Sequence, residues 1–528
     1  MDYSVLSLVV ILCATVAALS VAAQRLRVAA PILMLVAGAA IAFVPGIPQV
    51  AIDPELVLVL LLPPLLYSSG VGMSWRGFRS NLRPILLLAI GCVLFTAGAV
   101  AAVMHYALGF SWALGFVLGA IVSPPDAVAP MAILRSMLLP RRLVTVLEGE
   151  SLVNDATALV TLGFALGAVA SGTFSLVAAA REFVVVVFGE IAFGIGVGWL
   201  MLRLRHLASD ARAEVMLALI TPFLAFWPPH ALGGSGVIAC VAAGLYVSWN
   251  GRRLIRPDTR LQGYFIWDLV AWAVEALVFL LTGLQAHAVV VGLAGGGLDR
   301  ALLAAALVTL TVIAVRFIWV YPATYLPRLL MPTVCASDPA PDWRMPFLVS
   351  FTGLRGSVSL IGALLIPTLI GGKPFPEREV VLFATYAVII VTIVGLGLTL
   401  RPVVSLLGLG RAGAEEFAAN RRDERAVRLE ALDAVLQQLD RASDPAAEAL
   451  RRAYADRRAR IAASEASSAP PHTAAACVLE LRLIDAERES IATSYEQNRI
   501  TDEARRRIER ELDLEEARVR HALAVASR

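Results

Sequence analysis

Apolar runs about twenty residues long recur along the first three quarters of the chain, separated by short polar loops. This is the pattern of a helical protein that crosses a membrane many times. Hydropathy predicts about thirteen spans, near 4–24, 28–46, 55–72, 84–107, 111–135, 143–171, 176–202, 213–229, 233–249, 264–290, 300–327, 345–370 and 378–403. The first run lacks a positively charged start and is too long for a cleaved secretory signal, so it reads as a span.

One run breaks the apolar rule. Residues 147–158 carry Glu148, Glu150, Ser151, Asn154 and Asp155 and pass straight into the apolar stretch 159–170. A carboxylate at membrane depth costs several kcal/mol, so it faces a partner or a water-filled cavity and marks an ion path. At helical spacing Ser151 and Asp155 share one face, and Glu150 and Asn154 share the next.

Two other spans carry breaks. Pro124, Pro125 and Pro130 surround Asp126 in the fifth, and so many missing donors rule out a continuous helix there. Gly353 and Gly356 bracket Arg355 in the twelfth. Unwound backbone survives in a membrane only where protein or water satisfies it. The two interruptions occupy corresponding places in two six-span halves, as in inverted-repeat transporters whose site lies where two discontinuous helices cross. Other buried charges, including Glu190 and Arg316, read as structural pairs.

Arginines alternate between loops. Those near residues 25, 76–83, 135–142, 203–212, 252–260 and 328–344 fall on one side, which the positive-inside rule assigns to the cytoplasm. The N-terminus is therefore expected outside and the C-terminus inside. Beyond Pro402 the chain turns polar, with Leu429, Leu432, Val435, Leu436 and Leu439 at helical spacing, and Leu479, Leu483 and Ile484 likewise. The expected organisation is a membrane domain over 1–405 and a helical cytoplasmic region over 406–528, with a Ser/Pro linker near 464–473.

Composition agrees. Apolar residues make up 58% of the 528 residues and the mean hydropathy is +0.74. The five cysteines and six histidines have no metal or redox spacing, and no nucleophile–base or phosphate-loop pattern is present, so no enzyme, cofactor or nucleic-acid role is expected. The net charge of +3 says little about partners, because charge here follows topology.

At these residues the chain resembles the monovalent cation:proton antiporter-1 family, the NhaP-like sodium/proton exchangers. The resemblance is carried by 123–129 (Ser-Pro-Pro-Asp-Ala-Val-Ala), 148–156 (Glu-Gly-Glu-Ser-Leu-Val-Asn-Asp-Ala), 354–360 (Leu-Arg-Gly-Ser-Val-Ser-Leu) and the Leu-Pro-Pro-Leu-Leu of 62–66. It implies that Asp155 binds either the cation or protons and that Asn154 ties its helix to the broken fifth span. Ser151 and the Pro125 carbonyl would add oxygen ligands to the cation, and Asp126 would orient the network. Glu150 and Arg355 would form a buried ion pair. The resemblance also implies a homodimer whose mobile core carries the site across the membrane. Two departures stand out: Pro125 replaces a Thr usual in the family, and Ser68 stands where many members have Glu.

The expected activity is exchange of sodium, and of lithium, for protons across the cell membrane. A buried carboxylate is costly when bare and can hold a proton or a hard cation, but not both. One carboxylate gives one proton per cation, an electroneutral cycle that feels little of the roughly 2.3 kcal/mol per charge per 100 mV of the membrane potential. Potassium/proton exchange on the same scaffold is the alternative, and a membrane sensor signalling through the tail a more distant one.

Overall fold

The computed structural model describes residues 3–26, 28–45, 54–134, 137–173, 175–208, 210–293, 297–370, 372–441, 445–463, 474–497 and 502–526. The expected linker at 464–473 lies outside them. The chain divides into two compact units, Met1–Ala414 and Glu415–Arg528.

The first unit begins with α1 (Tyr3–Leu26), α2 (Ala30–Ala42) and α3 (Pro54–Gly72). Short α4 (Trp75–Ser80) leads to α5 (Leu82–Leu86), which runs through a π-helical turn at Leu87–Cys92 into α6 (Val93–Leu108). Next come α7 (Trp112–Val122), α8 (Val128–Leu134) and the long α9 (Arg141–Ser171). α10 (Leu176–Leu207), α11 (Ala211–Ala231), α12 (Val237–Leu254), α13 (Pro257–Leu284), short α14 (Ala286–Gly292) and α15 (Leu298–Leu330) follow. Short α16 (Pro332–Ser337) precedes α17 (Arg344–Phe351) and α18 (Ser357–Leu364). A small antiparallel ribbon pairs β1 (Leu369–Ile370) with β2 (Lys373–Pro374). α19 (Arg378–Ile390) passes through a second π-helical turn, Val391–Leu396, into α20 (Gly397–Leu407).

Among the described residues nine helices are long and apolar enough to cross a membrane, and Ala30–Ala42, Trp112–Val122 and Val237–Gly251 are shorter apolar helices. This is an all-α polytopic membrane protein. The fifth predicted span is split into α7 and α8, and the twelfth into α17 and α18. The cause of the first split is local: Pro124 and Pro125 offer no N–H, whereas Pro130 sits in the first turn of α8, where a missing donor breaks no helical bond.

α9 is the axis of the unit. Leu143, Val146 and Leu147 join one buried apolar cluster, Leu152 and Ala156 a second, and Leu162 and Ala165 a third. Its middle is therefore shut away from lipid, and the polar side chains there must be satisfied from within the protein. Helix α10 instead exposes Val184, Val185 and Phe188, as a lipid-facing helix does.

The second unit continues α21 (Leu409–Asp440) and holds α22 (Pro445–Ala463), α23 (Ala474–Glu496) and α24 (Asp502–Ala526). Asp433 and Arg458 bridge α21 and α22. Cys477, Ile484, Leu512 and Val519 form the apolar seam of α23 and α24, flanked by the Arg488–Asp513 pair at 2.5 Å and the Arg518–Glu480 pair at 2.7 Å. Leu479 and Leu483 remain exposed on α23.

Candidate ion-binding site

The two breaks meet beside α9, and the backbone groups they release are matched one by one. In an unbroken helix the Ala127 N–H would donate to the Ser123 carbonyl. Here it donates to Ser151 Oγ at 3.2 Å, and the Ser123 carbonyl accepts from Arg355 Nη1 at 2.7 Å. The Pro125 carbonyl accepts from Asn154 Nδ2 at 2.7 Å, and the Asp126 N–H donates to the Leu354 carbonyl at 2.8 Å. Two side chains of α9 thus tie down the first break, and the two breaks are stitched directly to each other. Thr392, in the second π-helical turn, accepts from the Arg355 N–H at 3.0 Å.

Asp126 caps α8, its Oδ1 accepting from the Val128 N–H at 2.8 Å, while Oδ2 is buried without a partner. That second oxygen lies against Gly356, where any Cβ would overlap it. Gly353 does the same for Arg316, whose side-chain Cδ fills the space a Cβ would need. The two glycines around Arg355 thus make room for their neighbours.

Asp155 differs from everything around it. Its carboxylate takes part in none of these hydrogen bonds. It is 9% exposed, whereas Asn154 is fully buried. Ser151 lies one turn away, and its hydroxyl oxygen keeps a lone pair beyond the one used by Ala127. A carboxylate, a hydroxyl and a carbonyl are hard oxygen donors suited to a hard cation. Beyond Asp155 a cavity of about 500 Å³ opens, lined by Leu159, Gly163 and Gly167 of α9, Glu182 of α10, His230 of α11, and Ser235. A Cβ placed on Gly163 or Gly167 would meet nothing within 4 Å.

The expected Glu150–Arg355 pair is not formed. Glu150 is gripped instead by Arg316 of α15, Nη1 to Oε1 at 2.6 Å and Nη2 to Oε2 at 2.9 Å, while Arg316 Nε donates to the Val349 carbonyl at 3.0 Å. The break turns Arg355 toward the carbonyl freed at Ser123, and its Nε and Nη2 have no hydrogen-bond partner among the described residues. The pair joins α9 to α15, not to the second break. The sequence held the signal, a lone Arg in the apolar run of α15, but two arginines competed for one carboxylate and only the crossing of helices chooses between them. Glu190 also pairs with no cation among the described residues: its carboxylate accepts from the N–H groups of Ser235, Gly236 and Ile238 at 2.6, 3.0 and 3.2 Å, capping α12 from a neighbouring helix. Ser68 donates to the Leu65 carbonyl of its own helix at 2.9 Å.

Comparison with known proteins agrees with this architecture. The family described as "Sodium/hydrogen exchanger, transmembrane" matches residues 10–406. An uncharacterized Na(+)/H(+) exchanger of Mycobacterium tuberculosis is 35% identical over 527 residues, covering 97% of this chain and 96% of the relative. The Na(+)/H(+) antiporter ApNhaP of Aphanothece halophytica is 32% identical, covering 72% of this chain and 69% of its own. A sodium, potassium, lithium and rubidium/H(+) antiporter of Bacillus pumilus is 30% identical, covering 71% of this chain and 57% of its own. The solved sodium proton antiporter MjNhaP1 of Methanocaldococcus jannaschii superposes with a TM-score of 0.61 at 16% identity, covering 77% of this chain and 99% of the other, a likeness of fold.

Proposed function

Because the chain belongs to the sodium/hydrogen exchanger family of membrane antiporters, we propose that it exchanges a monovalent cation for a proton at Asp155 by alternating access. The observation that carries this reading is that the Asp155 carboxylate takes no part in the hydrogen bonds that fix Asn154, Ser151 and Asp126 around it. A rigid frame surrounds one uncommitted carboxylate. Proton and cation compete for it, and the loaded form, nearly neutral, crosses more readily than the bare anion.

In this reading Ser151 and the Pro125 carbonyl complete the cation's oxygen shell beside Asp155, and Asn154 holds that carbonyl in position. The cavity beyond Leu159 is the route by which ions reach Asp155 from the end of the bundle where α9 finishes. By the arginine distribution that end faces outside and the start of α9 faces the cytoplasm. One carboxylate implies one proton per cation and an electroneutral cycle. The membrane is the cell membrane, the region from 406 onward is cytoplasmic, and the assembly is a homodimer.

Sodium, with lithium, is the proposed substrate. Potassium is the second reading, favoured by Pro125, which supplies a carbonyl in place of the family's usual hydroxyl, and by the breadth of cations in the name of the Bacillus pumilus relative. Purified protein in liposomes, with an imposed pH gradient and a pH-sensitive dye inside, tests both. Sodium and lithium should collapse the gradient with wild type and not with Asp155→Asn. A response to potassium alone would replace the substrate, and a response that survives Asp155→Asn would overturn the site.

A further inference from the structure

A second charged constellation lies at the arginine-rich end of the first unit, apart from the crossing. Asp338, in the segment between α16 and α17, is held by three arginines from three different helices. Arg142 of α9 reaches Oδ1 at 2.7 Å and Oδ2 at 2.9 Å, Arg328 of α15 reaches Oδ2 at 2.8 Å, and Arg83 of α5 also bonds Oδ2. Three guanidinium groups share one carboxylate, so among the described residues the cluster carries two positive charges more than negative ones. Among the described residues nearby, Asp342 is engaged by Arg344 at 3.5 Å, and Thr324 offers a carbonyl to Arg328.

The same arginines ring a cavity of about 80 Å³ whose interior is apolar, formed by Leu88, Val146 and Val349. Arg328 is almost fully covered, with its side chain 7% exposed, whereas those of Arg83 and Arg142 are 31% and 41% exposed. Like charges this close repel unless an anion screens them, and the cost grows with burial. Planar guanidinium forks match the paired oxygens of carboxylate and phosphate, and phosphate brings the larger charge to offset theirs. Basic pockets between helices on the cytoplasmic side of membrane proteins receive lipid head groups for this reason.

We propose that Arg83, Arg142 and Arg328 form a binding site for a phosphate-bearing anion, shared with Asp338, at the base of α9. The same chemistry serves the head group of an anionic phospholipid and free phosphate. The apolar floor favours a ligand with hydrocarbon beside its charge. The bound anion would fasten α9, α15 and the 338–343 segment together at the foot of the helix that carries Asp155.

The full chain tests this by direct binding. One arm titrates inorganic phosphate in detergent; the other counts retained phosphatidylglycerol against phosphatidylcholine by native mass spectrometry. Arg83→Gln should weaken binding about tenfold, the loss of one charged hydrogen bond. Asp338→Asn should tighten it, because it removes the competing carboxylate. A merely structural cluster gives no such opposite shift. Saturation by phosphatidylglycerol alone identifies a lipid site, and saturation by phosphate as well identifies a site for the free anion. Binding of neither, or binding that Arg83→Gln and Asp338→Asn leave unchanged, would overturn the proposal.

Discussion

The two oxygens of Glu150 lie 2.6 and 2.9 Å from the two terminal nitrogens of Arg316, with both side chains only 2% exposed. A bidentate pair this deeply buried fixes α9 against α15 in angle as well as distance. Replacing either partner strands a charge. Arg316→Gln or Glu150→Gln should each lose about 3–5 kcal/mol of stability, and the double replacement should recover part of that loss. Thermal unfolding of the purified protein measures it. Arg355→Gln, which removes one hydrogen bond to the Ser123 carbonyl, should cost about 1–2 kcal/mol. Equal losses at positions 316 and 355 would contradict the pairing.

Asn154 and Ser151 support backbone that no helix satisfies. Asn154→Ala leaves the Pro125 carbonyl bare, and Ser151→Ala leaves the Ala127 N–H bare; each should cost about 1–3 kcal/mol. Asn154→Asp is the sharper variant, since it sets a carboxylate against the carbonyl it once bonded. It should be the least stable of the three in denaturation assays and should transport least.

Gly356→Ala forces a methyl group into the space of Asp126 Oδ2, and Gly353→Ala forces one into Arg316. Both should impair antiport in liposomes. Gly353→Ala should also lower the unfolding temperature, because it disturbs the buried pair. Gly196→Ala, which adds a Cβ to open space on α10 away from the cavity, is the control and should leave transport intact.

The Asp338 cluster has a definite pH signature. Burial works against the charged form, but the hydrogen bonds and charges of Arg142, Arg328 and Arg83 outweigh it and hold the carboxyl below its ordinary 3.8. A group with a depressed folded pKa stabilises the fold above its ordinary value, and that stability is lost as pH falls through the folded value. The difference in unfolding temperature between wild type and Asp338→Asn should therefore be constant from alkaline to mildly acidic pH and shrink only in strong acid. A difference that vanished near neutrality would contradict the geometry.

Much of this was legible in the residues. The apolar runs marked the spanning helices, the prolines around Asp126 marked the break between α7 and α8, and the Asn154-Asp155 pair marked the helix that ties down that break. What failed was pairing over long sequence distances. Glu150 and Arg316 are 166 positions apart, and no local pattern says which of two buried arginines reaches a given carboxylate. The role of Glu190 was hidden for a related reason, since a helix end needs no side-chain cation and the α12 N-terminus supplies N–H groups that composition does not reveal. Thr392 carried no signal, because its part in holding the Arg355 backbone depends on a π-helical turn.

Competition at Asp155 is the centre of the account, and the dependence of transport on cation concentration at several pH values tests it most directly. Initial rates in proteoliposomes should give an apparent KM for the cation that rises as pH falls while the maximal rate at saturating cation holds, and Asp155→Asn should abolish the coupled movement. An apparent KM that ignores pH while the maximal rate changes, or transport that persists in Asp155→Asn, would contradict competition at this carboxylate.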